Sequence, residues 1–270
     1  MYSTIRKYNL ALWLIACILL TTACNNSYQD ILNSENADFK FEKAKEFYNR
    51  KDYYKAQPIF EELLNVHRGT KKAEKIYYYY AYCHYGQSDM ITAAYHFKNF
   101  AVTYPASDFT EEAQYMWAYC YYQMSPKPSL DQTNTIKAIE AFQLFTTLYP
   151  TSEKVAQCNN FIDEMRLTLQ QKDFMSAKLY LKLEFYEAAK IAFETLLRDY
   201  PDFKNKEEAR FLALKAYYLY ASNSIEEKQK ERFTFVVSMY EKFLQRHPQS
   251  SYTGEAEKIA ETSRKYLNKI

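Results

Sequence analysis

The apolar residues of this chain follow one pattern five times over. A small residue is followed by an aromatic four positions later and a large apolar residue seven positions later. The copies are Ala56, Phe60, Leu63; Ala93, Phe97, Phe100; Ala138, Phe142, Phe145; Ala189, Phe193, Leu196; and Val236, Tyr240, Phe243. Offsets of four and seven put all three side chains on one face of a helix. In the last four copies a proline stands twelve after the first anchor, at Pro105, Pro150, Pro201 and Pro248, and the first copy has Arg68-Gly69 there. Each breaks a helix and turns the chain into the next unit.

A partner helix precedes each of these. Its mark is a small residue twelve before the anchor, Ala44, Ala81 and Ala177, which lets two helices approach closely. The strongest self-match pairs residues 76–85 with residues 113–122. At a shift of 37, Tyr78 falls on Tyr115, Tyr82 on Tyr119, Cys83 on Cys120 and Tyr85 on Tyr122. At a shift of 133, Ala44, Tyr53, Ala56, Phe60 and Leu64 fall on Ala177, Tyr186, Ala189, Phe193 and Leu197. Self-similarity in the thirties is the mark of stacked helix pairs. The anchors lie 37, 45, 51 and 47 apart, so some units carry extra residues. Ser125-Pro126-Lys127-Pro128-Ser129 reads as a loop in the third, and a similar excess falls around Ser222-Asn223-Ser224 in the fifth. Residues 152–183, free of Gly and Pro, read as one long helix or two end to end. Residues 251–268 read as an amphipathic cap, which a solenoid needs at its end.

The first residues follow a different logic. Arg6 and Lys7 precede an apolar run from Leu10 to Leu20. About 10 apolar residues are too few to span a bilayer and suit a secretory signal. Thr21-Thr22-Ala23-Cys24 then resembles a bacterial lipobox, in which the cysteine is lipidated; Thr21 stands where that motif has a large aliphatic residue. The alternative is an ordinary signal peptide with an incidental cysteine. The chain thus divides into a lipoprotein signal peptide (1–23), a lipidated Cys24 with a flexible polar tether (24–37), an N-terminal half with repeats one to three (38–150), and a C-terminal half with repeats four, five and the cap (151–270).

The small, aromatic, apolar and Pro positions at offsets 0, 4, 7 and 12 resemble the second helix of the tetratricopeptide repeat. Ala44, Ala81 and Ala177 match the small residue of its first helix. The fold this implies is all-α, a right-handed superhelical solenoid of about five such helix pairs with a C-terminal capping helix. Five repeats behind a lipobox, with a long central helix and insertions in repeats three and five, resemble the BamD family of outer-membrane assembly lipoproteins. That resemblance implies a protein anchored in the bacterial outer membrane through Cys24 and facing the periplasm. It implies as partners the outer-membrane barrel insertase, through its periplasmic domains, other assembly lipoproteins, and unfolded barrel-protein precursors. The N-terminal repeats would engage substrate and the C-terminal repeats the partners. Two other readings stay open. One is a general periplasmic scaffold of envelope or cell-wall coordination; the other is a glycan-capture lipoprotein, for which the chain has little room.

Composition narrows the chemistry. Gly is scarce, with three residues, against 28 Tyr, which argues against a sheet protein. Loss of the signal takes Arg6 and Lys7 and no acid, leaving 33 basic and 33 acidic residues. That balance, with no basic block, gives no support to nucleic-acid binding. No Gly-rich phosphate loop, metal-spaced histidine pair or nucleophile elbow occurs, so no enzyme, cofactor or metal is expected. His67 and His247 hold the place that Tyr104, Tyr149 and Tyr200 hold before the breaks, as turn-packing residues. His84 and His96 are expected on different helices. Glu61-Glu62, Glu111-Glu112 and Glu207-Glu208 read as solvated helix faces. Cys83, Cys120 and Cys158, an odd number, read as buried thiols. Three equivalent rows on the first helices remain: Phe41, Tyr78, Tyr115; Lys45, Tyr82, Tyr119; and Tyr48, Tyr85, Tyr122. They share one helix face, and they are either a peptide-binding groove or packing between helices. As a groove, Tyr78, Tyr82, Tyr115 and Tyr119 would line one pocket.

Overall fold

In a computed structural model, which describes residues 28–269, α-helices follow one another with no strand among the described residues. The signal peptide and Cys24 lie outside them. A helical stretch at 28–33 (α1) leads to α2 (Ala37–Asn49), α3 (Tyr53–Val66), α4 (Lys71–Gly86), α5 (Met90–Thr103), α6 (Thr110–Gln123) and α7 (Thr133–Leu148). The long α8 (Val155–Lys182) follows as one helix, then α9 (Tyr186–Asp199), α10 (Lys206–Ser222), α11 (Glu226–Arg246) and α12 (Thr253–Leu267). The five B helices are α3, α5, α7, α9 and α11. All fifteen of their anchor side chains are buried, and so are Ala44, Ala81, Ala118 and Ala177 on the partner helices.

The ends of the B helices repeat one device. The backbone N–H groups of His67, Tyr104, Tyr149, Tyr200 and His247 donate to the carbonyls of Leu63, Phe100, Phe145, Leu196 and Phe243, at 2.9–3.0 Å. Those carbonyls belong to the third anchor of each copy, so one residue packs the core and receives the cap. The two histidines therefore occupy the turn position that the spacing predicts.

The turns from A to B helices also repeat. Lys51, Ser88 and Glu184 have φ of 61°, 63° and 62° and stand at the shifts of 37 and 133 read from the side chains. Just after each, the N–H of Asp52, Asp89 or Phe185 closes on the carbonyl of Phe47, His84 or Tyr180, at 2.9–3.0 Å. This is a Schellman-type stop, in which glycine usually takes the left-handed position. Here non-glycine residues adopt it, so composition gave no sign of it.

The contacts group the chain into two compact units. One holds the residues up to Ser125 together with Asn134–Asn159; the other holds Pro126–Thr133 and Asn160–Ile270. The division falls inside α8. In the first unit a core gathers Ala44, Ala56, Phe60, Leu63, Ile76 and Cys83, with Ile31 of α1 added to it. Residues 28–33 are thus not a free tether. Tyr28, Ile31 and Leu32 fall on one helical face; the Tyr28 ring meets Phe47 edge-on at 5.6 Å and its hydroxyl donates to the Lys55 carbonyl at 3.0 Å. Three apolar residues among polar ones were enough to dock this short helix.

The second unit has one core around Phe174, Ala177, Ala189, Phe193 and Ala213, and another around Leu214, Val236, Phe243, Ala256 and Ile259. Its fifth repeat corrects one expectation. Residues 223–225 make only a short connection, and the extra length goes into α11, which starts ten residues ahead of Val236 where α3 starts three ahead of Ala56. The prolines of 125–129 do hold that stretch as a loop.

Two stability measurements test this architecture. Phe142 is fully buried and its ring lies 6.1 Å from Tyr115 and 6.4 Å from Tyr122 of α6. Phe142→Ala should lower stability in urea by roughly 3–5 kcal/mol; a loss under about 0.5 kcal/mol would mark a surface site. Ser88→Gly should raise stability by about 0.5–1 kcal/mol, because it removes the left-handed strain. A shift of the midpoint to lower urea would contradict that account.

Candidate peptide-binding face

The three rows sit on α2, α4 and α6, the A helices of repeats one to three. Eight of the nine residues are partly exposed: Phe41, Lys45, Tyr48, Tyr78, Tyr82, Tyr85, Tyr119 and Tyr122. Along α4, Tyr78 meets Tyr82 at 4.8 Å and Tyr82 meets Tyr85 at 6.2 Å. Tyr85 crosses to Tyr119 of α6 at 6.4 Å, and Tyr119 stacks with Tyr115 and Tyr122, both at 5.8 Å. On α2 the row turns toward Tyr79, which lies 6.3 Å from Phe41 and 4.9 Å from Tyr48. Lys45 stands over the Phe41 ring at 5.5 Å and pairs with Glu42 at 3.2 Å.

Tyr115 departs from its row. It is 8% exposed, its ring meets Phe142 and Phe145 at 6.1 and 5.8 Å, and its hydroxyl donates to Gln157 at 3.3 Å. It belongs to the packing of repeat three and not to an open pocket with Tyr78, Tyr82 and Tyr119. The equivalent Tyr78 instead meets Phe109 at 4.6 Å and stays partly exposed. Tyr82 is anchored on both sides. Its ring meets Phe97 edge-on at 4.9 Å, and its hydroxyl donates to Glu112 of α6 at 2.7 Å. Burial, and then the Glu112 carboxylate, push the Tyr82 hydroxyl well above the usual phenol range. Burial does the same for Tyr78 and Tyr85. These phenols are neutral and can donate hydrogen bonds at any physiological pH.

The acidic pairs are not simply solvated. Glu112 accepts from Tyr82 and pairs with Lys154, whose ammonium lies 4.8 Å above the Tyr115 ring. Glu111 accepts from Ser152 at 2.6 Å, and Glu207 accepts from Ser250 at 2.5 Å. Both serines stand two residues after a repeat-ending proline, so one tie recurs in both units. Glu208 pairs with Lys178 at 2.9 Å, and Glu62 with Lys40 at 2.6 Å; Lys40 is only 5% exposed. A Pro-x-Ser following an acid early in the A helix was the signal that sequence reasoning passed over.

The three cysteines are buried and free, and burial pushes Cys83 and Cys120 up to about 12 and Cys158 up to about 11. They are inert packing thiols. His84 and His96, on α4 and α5, are brought face to face at 5.1 Å. Tyr80 meets both rings at 4.8 Å, Tyr77 lies 3.3 Å from His96 Nδ1, and Asp89 lies 3.5 Å from His84 Nδ1. No group of three possible metal ligands occurs among the described residues, and no described helix is long and apolar enough to cross a membrane.

Fold and face together define a helical-repeat scaffold that displays a patterned aromatic surface. The chain belongs to the family described as YfiO, outer membrane lipoprotein, whose model matches residues 34–233. It is 26% identical over 227 residues to a protein of Aquifex aeolicus (strain VF5) described as a putative outer membrane protein assembly factor BamD, covering 83% of this chain and 74% of that one. Solved structures with a likeness include the TPR2AB domain of yeast Sti1 in its pHSP90 complex and the P58(IPK) TPR domain. Each is 13% identical with a TM-score of 0.41; the first covers 84% of this chain and 98% of its own, the second 86% and 66%. At that level neither says anything of what this chain binds.

The histidine pair has a measurable consequence. Burial, and then the neighbouring His84, push His96 down to about 4, with Asp89 acting weakly the other way. The unfolded chain takes up that proton near pH 6.5 and the folded chain near pH 4. The contribution is therefore whole above pH 6.5 and is lost as pH falls from there toward 4. Stability should drop between pH 7.5 and pH 5, by about 1 kcal/mol once solvent screening of the half-buried ring is allowed for. His96→Phe, which keeps a ring and removes the proton site, should lose that part of the slope in urea titrations. Parallel pH profiles for the two proteins would refute it.

Proposed function

We propose that the protein is a non-enzymatic scaffold of outer-membrane β-barrel assembly, anchored to the membrane through a lipidated Cys24 and facing the periplasm. The observation that carries this reading is membership of the outer membrane lipoprotein family, together with the relative described as an assembly factor. The Thr21-Thr22-Ala23-Cys24 pattern supports the anchor. In this reading the A-helix face of repeats one to three takes extended segments of unfolded barrel precursors. The C-terminal repeats bind the periplasmic domains of the barrel insertase and other assembly lipoproteins.

The aromatic face suits that substrate physically. Partly exposed phenols offer large contact area at low entropic cost, and their hydroxyls donate to the unpaired carbonyls of an extended strand. Precursor strands alternate apolar and polar side chains and carry aromatic residues near their ends. Edge-to-face ring contacts add roughly 0.5–1.5 kcal/mol each beyond burial.

Two experiments test the two parts. The native lipoprotein should co-purify with a barrel-shaped insertase; recovery with a different envelope complex would point to a general scaffold. Tyr85→Ala with Tyr119→Ala removes the partly exposed rings that bridge α4 and α6 at 6.4 Å. The double variant should keep its insertase and its helix content by circular dichroism. It should bind a labelled peptide from the last strand of a barrel protein about tenfold more weakly, two ring contacts being worth about 1.4 kcal/mol or more. Unchanged affinity sinks the binding face; lost helicity makes these rings packing residues.

A further inference from the structure

In the second unit a cleft of about 250 Å³ opens between α9, α10 and α11. Leu197, Ala213, Met239 and Phe243 give it an apolar lining. Four cations surround it: Arg198 at the end of α9, Arg210 early in α10, and Lys242 and Arg246 one turn apart near the end of α11. Among the lining residues Glu194 is the single acid; its Oε1 accepts from the Tyr217 hydroxyl at 2.5 Å, and its one negative charge stands against four cations.

The cations are poorly neutralised. Arg198 pairs with its neighbour Asp199 at 2.8 Å, but both are well exposed, and such pairs are weak and exchangeable. Arg210 Nη1 lies 2.9 Å from His247 Nε2. A guanidinium can only donate, so that imidazole nitrogen accepts and the ring is neutral. Burial, and then Arg246, lower the pKa of Arg210. Lys242 and Arg246 repel each other across one helical turn. Like charges from three helices converging on an apolar hollow raise the energy of the empty cleft, and an anion relieves it.

We propose that this cleft receives an acidic segment of a protein partner, with two or more Asp or Glu carboxylates flanking one apolar side chain. One carboxylate engages one guanidinium bidentately, so cations from three helices call for more than one. The hollow is smaller than the roughly 300–1,000 Å³ of small-molecule pockets and fits a single side chain. A free phosphate would neutralise the rim and leave the apolar floor uncovered. The site gives chemistry to partner binding by the C-terminal repeats and rests on the assembly reading for the partner's identity alone. A synthetic probe therefore tests it separately.

The probe is a fluorescein-labelled, C-terminally amidated peptide with two acidic residues on each side of a central leucine, titrated with the intact protein in detergent. It should bind saturably, weaken with added salt, and lose binding when its acids become Asn and Gln. Arg210→Ala with Arg246→Ala should weaken it by about tenfold or more, and Lys242→Glu, a change at an exposed position, should act the same way. Lys258→Ala, an exposed cation outside the cleft, should change affinity less than about twofold. Equal binding of the neutral peptide, or unchanged affinity in both cleft variants with helicity intact, overturns the proposal. Phosphatidylglycerol vesicles provide the last arm. If they bind the wild type and not the Arg210/Arg246 variant, while the peptide does not saturate, the cleft is a headgroup site and the proposal fails.

Discussion

The structure depends on close approach of paired helices at alanine. Ala44 and Ala56 share one core cluster, and Ala177 and Ala189 share another. With no side chain beyond Cβ, each lets the two helices pack closely. The aromatic anchor one turn on then fills the space beside the crossing. Interiors are packed as densely as organic crystals, so a larger residue at the alanine would displace both helices and the ring beside them. All fifteen anchors are buried, with Val236 standing in the fifth repeat where the other four have alanine.

Repeats are also joined by polar ties. A glutamate early in an A helix accepts from the serine two residues after the next repeat-ending proline, in Glu111–Ser152 and in Glu207–Ser250. The second glutamate of the pair finds a lysine, in Glu112–Lys154 and Glu208–Lys178. Such pairs contribute little individually at a surface. Here three of the four are partly buried, Lys178–Glu208 being exposed, and all bridge residues 30 to 43 apart in the chain, so their effect is to fix how one helix pair meets the next. The Tyr82 hydroxyl joins the Glu112 tie, which holds one phenol of the candidate face in a set orientation.

The fold separates buried anchors from displayed side chains. Aromatic anchors on the B helices supply burial, while Tyr78, Tyr82, Tyr85, Tyr119 and Tyr122 on the A helices remain partly exposed. The cleft at the ends of α9 and α11 shows the same division with charge in place of aromatic surface: its lining belongs to the core, and its rim is open to a partner.

How much was legible in the sequence follows from the range of each interaction. Helix periodicity is local, so Ala56, Phe60 and Leu63 and their four later copies could be placed on buried faces from spacing alone. The stops at Tyr104, Tyr200 and His247 were equally legible, since a proline follows each. The shifts of 37 and 133 determined which helices are equivalent. They did not determine which equivalent residue is exposed. Tyr78 and Tyr115 share a row, yet Tyr115 is buried because α7 brings Phe142 and Phe145 against it, while Tyr78 meets a loop residue, Phe109. The docked helix at 28–33 rests on Ile31 meeting a core built from later residues, and the tie of Glu112 spans 42 residues to Lys154. Arg198, Arg210, Lys242 and Arg246 look like scattered surface cations until three helices bring them to one rim. The sequence by itself thus determined the helices, their pairing and their buried faces, because those depend on neighbours within a turn or two. Only the tertiary structure decided which side chains remain open to a partner, because that depends on what distant helices cover.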